Sequence, residues 1–404
     1  MSTTLLYRAF GLRGYRHVRT DYPEAAVVLT ISQEREKLRC PVCASAQVTA
    51  HGGVTRLFRT VPIGRRATYV LLPIARVECP SCQVTRQVKL PFADPLRRYT
   101  HAFERYALDL SRSTTIQDAA RHLGVGWDTI KDIQQRHLER HYAKPKLKHL
   151  RQMAIDEIAV GKGHRYLTVV LNLLTGAVVF VGDGKGAAAL EPFWRRLRAS
   201  RAKVQAVAMD MSAAYIQAVQ QHLPRATIVF DHFHVIKLFN DKLSNFRREL
   251  YREATEGLHK QVLKGTRWLL LKNPENLDPK RRERERLEEA LRINQPLAAA
   301  YYMKEDLQQI WMQPDRATGA RVLDDWIRRA EASGIKILQQ MAATLGAHRS
   351  GILAHYQYPI STGPLEGTNN KIKTMQRQAY GFRDHAFFKL KIYALHETKY
   401  ALVG

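Results

Sequence analysis

The sequence predicts a multidomain α/β protein: a small cysteine-knuckle domain, a helix-turn-helix, and a mixed α/β domain interrupted by an all-α insertion. Three observations predict it. Two Cys-Pro-x-Cys knuckles lie within residues 1–95, and apolar residues recur at helix-turn-helix spacing within 96–150. From 151 to 235 the pattern turns to short β-compatible runs that end in carboxylates, becomes helical over 236–355, and closes at 356–404 with a helix opening on an acidic residue.

The knuckles, Cys40-Pro41-Val42-Cys43 and Cys79-Pro80-Ser81-Cys82, use all four cysteines of the chain. Tetrahedral zinc requires four thiolates delivered from two tight turns, so Cys40, Cys43, Cys79 and Cys82 are expected to hold one structural Zn²⁺ in a zinc-ribbon-like domain. A four-thiolate site has no open position for chemistry. Two disulfides are the alternative, disfavoured in a reducing compartment. Thr55–Val61 and Ala67–Val77 read as the strands of a hairpin inserted between the knuckles.

In the next segment Ala119, Leu123, Val125, Ile130 and Ile133 fall at helix-turn-helix core positions, with small Ala120 at the helix crossing and Gly124 at the turn. The expected recognition helix, Trp127 to Arg140, presents Thr129, Lys131, Asp132, Gln134 and Gln135, side chains able to reach base edges. A plain helical pair buried in a core is the bland reading. Lys146 and Lys148 follow in a basic linker suited to phosphate contact.

Strands near 152–157, 165–173, 177–182, 204–210 and 226–231, with helices near 188–200 and 212–222, make a mixed sheet whose order resembles an RNase H-like fold. Met153-Ala154-Ile155 runs into Asp156, and Val204–Met209 runs into Asp210. Glu366 opens a basic amphipathic helix after the breaker Ser361-Thr362-Gly363-Pro364. Singly, a strand-terminal Asp is a turn or cap residue. Together, carboxylates at two strand ends and a helix start can converge on a divalent metal pair, the arrangement that clamps attacking and leaving oxygens in phosphoryl transfer. Glu157 adjoins Asp156, but strand alternation points it to the opposite face and removes it from the ligand set.

Charge indicates the substrate. With 64 Lys+Arg against 37 Asp+Glu the net charge is +27, so a polyanion, nucleic acid first, is expected. The excess recurs along the chain, as from Lys237 to Arg286, which suggests an extended phosphate-contacting surface. A 45% hydrophobic content excludes a disordered tail. The apolar stretch Tyr166–Val181 is broken by Asn172 and Thr175-Gly176, so it reads as a hairpin and not a membrane span. Met1–Tyr15 shows no secretion signal, which predicts a cytosolic protein.

Four blocks carry a family resemblance: Met153–Ile158, Met209–Tyr215, Phe230–Val235 and Pro364–Lys371. In this order, behind the knuckles and helix-turn-helix, they resemble the DDE transposases of bacterial insertion sequences, specifically the ISL3 family. The resemblance implies an enzyme that binds the terminal inverted repeats of its own element, cleaves there, and joins the freed 3′-OH to target DNA. It implies that Asp156, Asp210 and Glu366 ligate two Mg²⁺ (or Mn²⁺) ions, that the protein works at the nucleoid of a bacterial cell, and that a homodimer synapses the two ends. Gly126 stands where related recognition helices often carry a Ser cap, a loss of a few tenths of a kcal/mol.

Supporting roles follow by position. Lys373, seven residues beyond Glu366, shares its helix face and faces either the substrate backbone or solvent. Asp231 and His234, spaced Asp-x-x-His, either orient the metal ligands, touch DNA, or form a packed hydrogen-bonded pair. Asn369 and Asn370 contact DNA or cap. Trp268, Trp311 and Trp326 are core residues or base-stacking platforms. Two rivals remain: a zinc and helix-turn-helix DNA-binding regulator with an inactive nuclease-like domain, and an RNase H-like nuclease without strand transfer. The intact acidic triad argues against the first, the dedicated DNA-reading modules against the second.

Overall fold

The computed structural model describes residues 3–161, 165–254, 263–264 and 266–396; the helical expectation at 255–262 and 265 lies outside them. The chain forms two compact units, residues 1–144 with 374–404, and residues 145–373.

The first unit opens with helix α1 (Thr3–Phe10) and a five-stranded sheet, β1 (Tyr15–Asp21), β2 (Ala26–Gln33), β3 (Thr49–Ile63), β4 (Arg66–Cys79) and β5 (Val84–Gln87). Its order is β1-β2-β4-β3, with β5 on the far end of β4. The hairpin read between the knuckles is β3–β4. Strands β1 and β2 were not anticipated, although Ala26–Gln33 alternates in burial as a half-covered strand should. Inward side chains of β4 run Thr68, Val70, Leu72 and Ile74, then change phase to Val77 and Cys79. A bulge between Ala50 and Gly53 of β3 lies opposite this change. Gly53 is required there, because a Cβ would stand 2.4 Å from the Ile74 carbonyl oxygen.

Helices α2 (His101–Leu110), α3 (Ile116–Leu123) and α4 (Trp127–Tyr142) build the helix-turn-helix region. Ala119, Ala120, Leu123, Ile130 and Ile133 are buried, and Val125 packs at their margin. Thr115 caps α3 by accepting the Asp118 N–H, and Gly124 ends it in the left-handed conformation at φ 61°. Gly126 caps α4 without a side-chain bond. Arg59 ties the sheet to these helices by donating to the carbonyls of Thr68 and Leu123.

The second unit is built on strands β6 (Gln152–Gly161), β7 (Arg165–Asn172), β8 (Val178–Asp183), β9 (Ala206–Met209) and β10 (Thr227–Phe230), ordered β10-β9-β6-β7-β8. The first three strands are antiparallel, and β9 and β10 run parallel to β6. This is the RNase H-like order. Crossover helices α5 (Glu191–Ser200) and α6 (Ala213–His222) bury Phe193, Trp194, Leu197, Tyr215 and Val219.

The insertion follows from α7 (His232–Glu253) through α8 (Arg267–Leu271), α9 (Glu283–Ile293), α10 (Gln295–Gln308), α11 (Arg316–Ala332), α12 (Lys336–Ala347) and α13 (Arg349–Leu353). Trp326 is fully buried and donates its indole N–H to the Met303 carbonyl, a core role; Trp311 is half-buried and Trp268 is 64% exposed. Helix α14 (Gly363–Gln378) carries Glu366, and α15 (His385–Tyr393) follows. The segment expected as one piece at 356–404 is divided: Phe387, Leu390 and Ala394 pack on Leu138 of α4, within the first unit.

Candidate functional site

Strand register brings the first two carboxylates together. Strand β6 pairs in parallel with β9 through Met153↔Val207 and Ala154↔Ala208; Asp156 follows two residues later on β6 and Asp210 stands just past the end of β9, close enough to raise the Asp156 carboxyl. Neighbouring strands lie about 4.8 Å apart. Asp210 is turned by accepting the Ser212 N–H at 3.0 Å. Glu157 faces the other way, as alternation predicts. Its carboxylate accepts from the Tyr215 hydroxyl at 2.6 Å and the Gly186 N–H at 3.0 Å, locking β6 against α6.

The third carboxylate arrives on α14. Asn369, one turn beyond Glu366, donates its side-chain amide to Asp156 Oδ2 at 2.9 Å, which ties the Glu366 helix to the central strand β6. Asn369 is 7% exposed, whereas Glu366 and Lys373 are exposed. Burial raises the Asp156 carboxyl above its usual range, and the neighbouring Asp210 and Glu157 carboxylates add to the shift; His234 and the Glu157 N–H oppose it. An anion held in this way favours a cation beside it. A cluster of carboxylate oxygens is the hard donor set that Mg²⁺ or Mn²⁺ takes. The three carboxylates do not close to within 4.8 Å of one another as the cysteine sulfurs do.

Asp231 is a positioning residue. It is 2% exposed, ends β10, and caps α7 by accepting the Phe233 N–H at 3.0 Å. Its other oxygen accepts the Thr362 N–H at 2.9 Å and the Thr362 hydroxyl, and that hydroxyl lies 3.4 Å from His234 Nδ1. Burial works against the Asp231 anion, but these bonds, from the Thr362 hydroxyl first, outweigh it and hold the carboxyl below its ordinary value. The Thr362 carbonyl accepts the Glu366 N–H at 2.8 Å. Asp231 thus pins the start of the helix that carries Glu366. The Asp-x-x-His pair is linked through the Thr362 hydroxyl, which bonds Asp231 and lies beside His234.

In the first unit the sulfurs of Cys40, Cys43, Cys79 and Cys82 all lie within 4.8 Å of one another, with Cys43 and Cys79 at 3.6 Å. Four sulfurs about 2.3 Å from one tetrahedral ion stand about 3.8 Å apart, so the cluster fits zinc. The four thiols are unbridged. Each knuckle closes on a left-handed residue, Ala44 at φ 61° and Gln83 at φ 53°. The Cys40 thiol is held down to about 7 by the N–H groups of Cys43 and Val42, and Cys82 is pushed up to about 12 by its contact with Cys43 and by burial.

The recognition helix departs from expectation at several positions. Gln134 is 5% exposed with neither amide atom hydrogen-bonded, so it cannot reach a base edge. It stands four residues after Ile130 and four before Leu138, on the inward stripe, a signal the sequence contained. Lys131 is held in an ion pair with Asp384 at 2.7 Å, a partner from the C-terminal segment that local pattern could not reveal. Asp132 accepts from Arg97 and Tyr99 and pairs with Arg136. Arg136 also binds Asp94 and Glu104, filling the Asp94, His101, Glu104 cluster with a guanidinium. Thr129 and Gln135 are half-buried, Gln135 donating to Glu139; Lys146 and Lys148 are exposed.

Comparison with known proteins agrees with this architecture. Residues 36–82 match the zinc-finger of transposases of the IS204, IS1001, IS1096 and IS1165 group, and residues 88–138 match the helix-turn-helix domain of the ISL3 transposase family. Residues 153–392 match the transposase domain of the same family. The chain belongs to the ISL3 family of DDE transposases. This transposase is 32% identical over 390 residues to the transposase for insertion sequence element IS1001 of Bordetella parapertussis, covering 95% of this chain and 96% of that one. It is 28% identical over 370 residues to the IS1557 transposase of Mycobacterium tuberculosis, at 85% and 82% coverage. Among solved structures, the Drosophila P element transposase strand transfer complex aligns with 73% of this chain and 91% of that chain at 11% identity and a TM-score of 0.40, a likeness too weak to bear on mechanism. The transposase is therefore an enzyme with dedicated DNA-binding domains. No helix among the described residues is long and apolar enough to cross a membrane.

Proposed function

We propose that this transposase binds the terminal inverted repeats of its insertion sequence, cleaves a phosphodiester at each end, and joins the freed 3′-OH to target DNA. What supports this reading is the pairing of β6 with β9, which leads to Asp156 and Asp210, together with the Asn369 bond that brings the Glu366 helix to Asp156. In each step one phosphorus–oxygen bond forms as another breaks, first with water and then with the 3′-OH as nucleophile, so no covalent link to the protein is needed.

Asp156, Asp210 and Glu366 would hold a pair of divalent cations, Mg²⁺ or Mn²⁺. When bound, such ions polarise the attacking oxygen and neutralise the leaving one. Asn369 keeps Asp156 turned toward the site, Asp231 and Thr362 set the Glu366 helix, and Lys373 on the same helix face meets the DNA backbone. His234 lies beside Asp156 and lowers its carboxyl pKa. Cys40, Cys43, Cys79 and Cys82 hold a structural zinc. Thr129 and Gln135 read base edges, while Lys146 and Lys148 neutralise phosphates. Double-stranded DNA at the nucleoid of the bacterial cytoplasm is the partner, and a homodimer pairs the two ends.

The test is substitution of each carboxylate by its amide. Asp156→Asn, Asp210→Asn or Glu366→Gln removes an anionic ligand at nearly constant volume, so metal-dependent cleavage should fall by orders of magnitude while end binding stays intact. Cleavage at the wild-type rate by any one of them removes that residue from the site.

A further inference from the structure

A second feature of the 145–373 unit lies at the opposite end of the sheet from the carboxylates. Lys148, His149, Arg151, Ser200, Arg201 and Lys203 line a concavity of about 420 Å³. Arg151 immediately precedes β6, and Arg201 and Lys203 fill the turn between α5 and β9. The concavity is built into the fold. Leu147 and Leu150 are buried on either side of exposed Lys148 and His149, and the Arg151 carbonyl accepts the Gln205 N–H at 2.7 Å. Ser200 is committed to its own turn through the Leu197 carbonyl.

The cations here are gathered in one hollow and, among the described residues, lack carboxylate partners. Arg329, Arg349 and Lys272 face carboxylates, whereas Lys148, Arg151, Arg201 and Lys203 are exposed and form no ion pair among the described residues. Arg201 also holds φ 55°, a left-handed position closing α5 where glycine is the unstrained choice. Four unpaired cations in one hollow, one of them kept at a conformational cost, form an anion site. Its cations are the side chains that supply most contacts to backbone phosphates, and such contacts carry no sequence information.

We infer that this concavity is a second, sequence-independent site for the phosphate backbone of double-stranded DNA. The inference rests on the proposed role as a DNA-processing enzyme and adds a contact remote from the chemistry. Asp156 lies five positions after Arg151, about 17 Å along the strand. That span matches about five base pairs at about 3.4 Å each, so a duplex engaged here would meet the protein well beyond the scissile phosphate.

The experiment measures binding of full-length protein to a terminal-repeat duplex and a scrambled duplex of equal length over a salt series, beside thermal unfolding. Arg151→Ala with Lys203→Ala should lower the slope of log K against log salt by about two, equally on both duplexes. Arg201→Gly should lower it by about one while the unfolding midpoint holds or rises, because glycine relieves the left-handed strain. Unchanged slopes overturn the site. Weakening confined to the terminal repeat overturns its sequence independence, and a lowered midpoint with unchanged slope makes Arg201 only a helix-end residue. These readings need no cleavage, so failure of the carboxylate variants to abolish cleavage would reject the proposed chemistry separately.

Discussion

Replacing Thr362 by Val tests whether the Asp231 contact sets the catalytic helix. The swap keeps the branched shape and the backbone N–H donated to Asp231, and removes only the hydroxyl donor from a carboxylate that is 2% exposed. A hydrogen bond to a charged group contributes about 1.5–3 kcal/mol. For a unit of this size each kcal/mol moves the unfolding midpoint by about 2–4 °C, so the 145–373 unit should melt about 3–12 °C lower. Because the Thr362 carbonyl also receives the Glu366 N–H, loosening this anchor displaces Glu366, and a displacement of about 1 Å costs about a hundredfold in rate. Thermal unfolding and metal-dependent nicking are measured together, with end binding as the control for the first unit. Thr362→Ser restores the hydroxyl and should recover both quantities. A Val variant that melts and cleaves like wild type, or a Ser variant that recovers neither, refutes the anchoring argument.

Further outcomes are expected elsewhere. Cys40→Ser or Cys82→Ser should unfold the ribbon and abolish end recognition while the 145–373 unit still melts normally, because thiolate–metal binding energy is folding energy; absence of zinc from purified wild-type protein on metal analysis refutes this. Gln134→Leu replaces a buried amide lacking partners and should raise stability by about 1 kcal/mol without changing discrimination between terminal-repeat and scrambled DNA, whereas Gln135→Ala should lower discrimination. Equal discrimination loss in both variants would return Gln134 to the readers. Gly351→Ala places a Cβ 2.4 Å from the Phe230 ring, next to Asp231, and should cost about 1–3 kcal/mol with slower cleavage; a wild-type midpoint in calorimetry contradicts that packing.

The parts legible in the sequence were those fixed by local pattern. Apolar runs ending in Asp156 and Asp210 announced strands of the catalytic sheet, the knuckles announced their cluster, and Ala119, Leu123, Ile130 and Ile133 announced the helix pair. What escaped depends on partners distant in sequence. Lys131 looked free because Asp384 lies 253 residues away, and Asn369 could not be assigned to Asp156 across 213 residues. Arg201 and Lys203 carry no motif, and they matter only because the start of β9 is brought beside Arg151. Gln134 is different: its i−4 and i+4 neighbours, Ile130 and Leu138, are apolar, so its position on the buried stripe is legible in the sequence.

The placement of residues 363–396 has a consequence for how the chain becomes active during synthesis. Helix α14 completes the acidic site with Glu366, and α15 covers the apolar side of α4 through Phe387 and Leu390. Neither arrangement is complete until this segment leaves the ribosome. At about 5–20 residues per second, the stretch from Asp231 to Glu366 alone takes roughly 7–27 s. A chain that stops before residue 363 therefore holds two of the three carboxylates and lacks the residues that pack on Leu138 of α4.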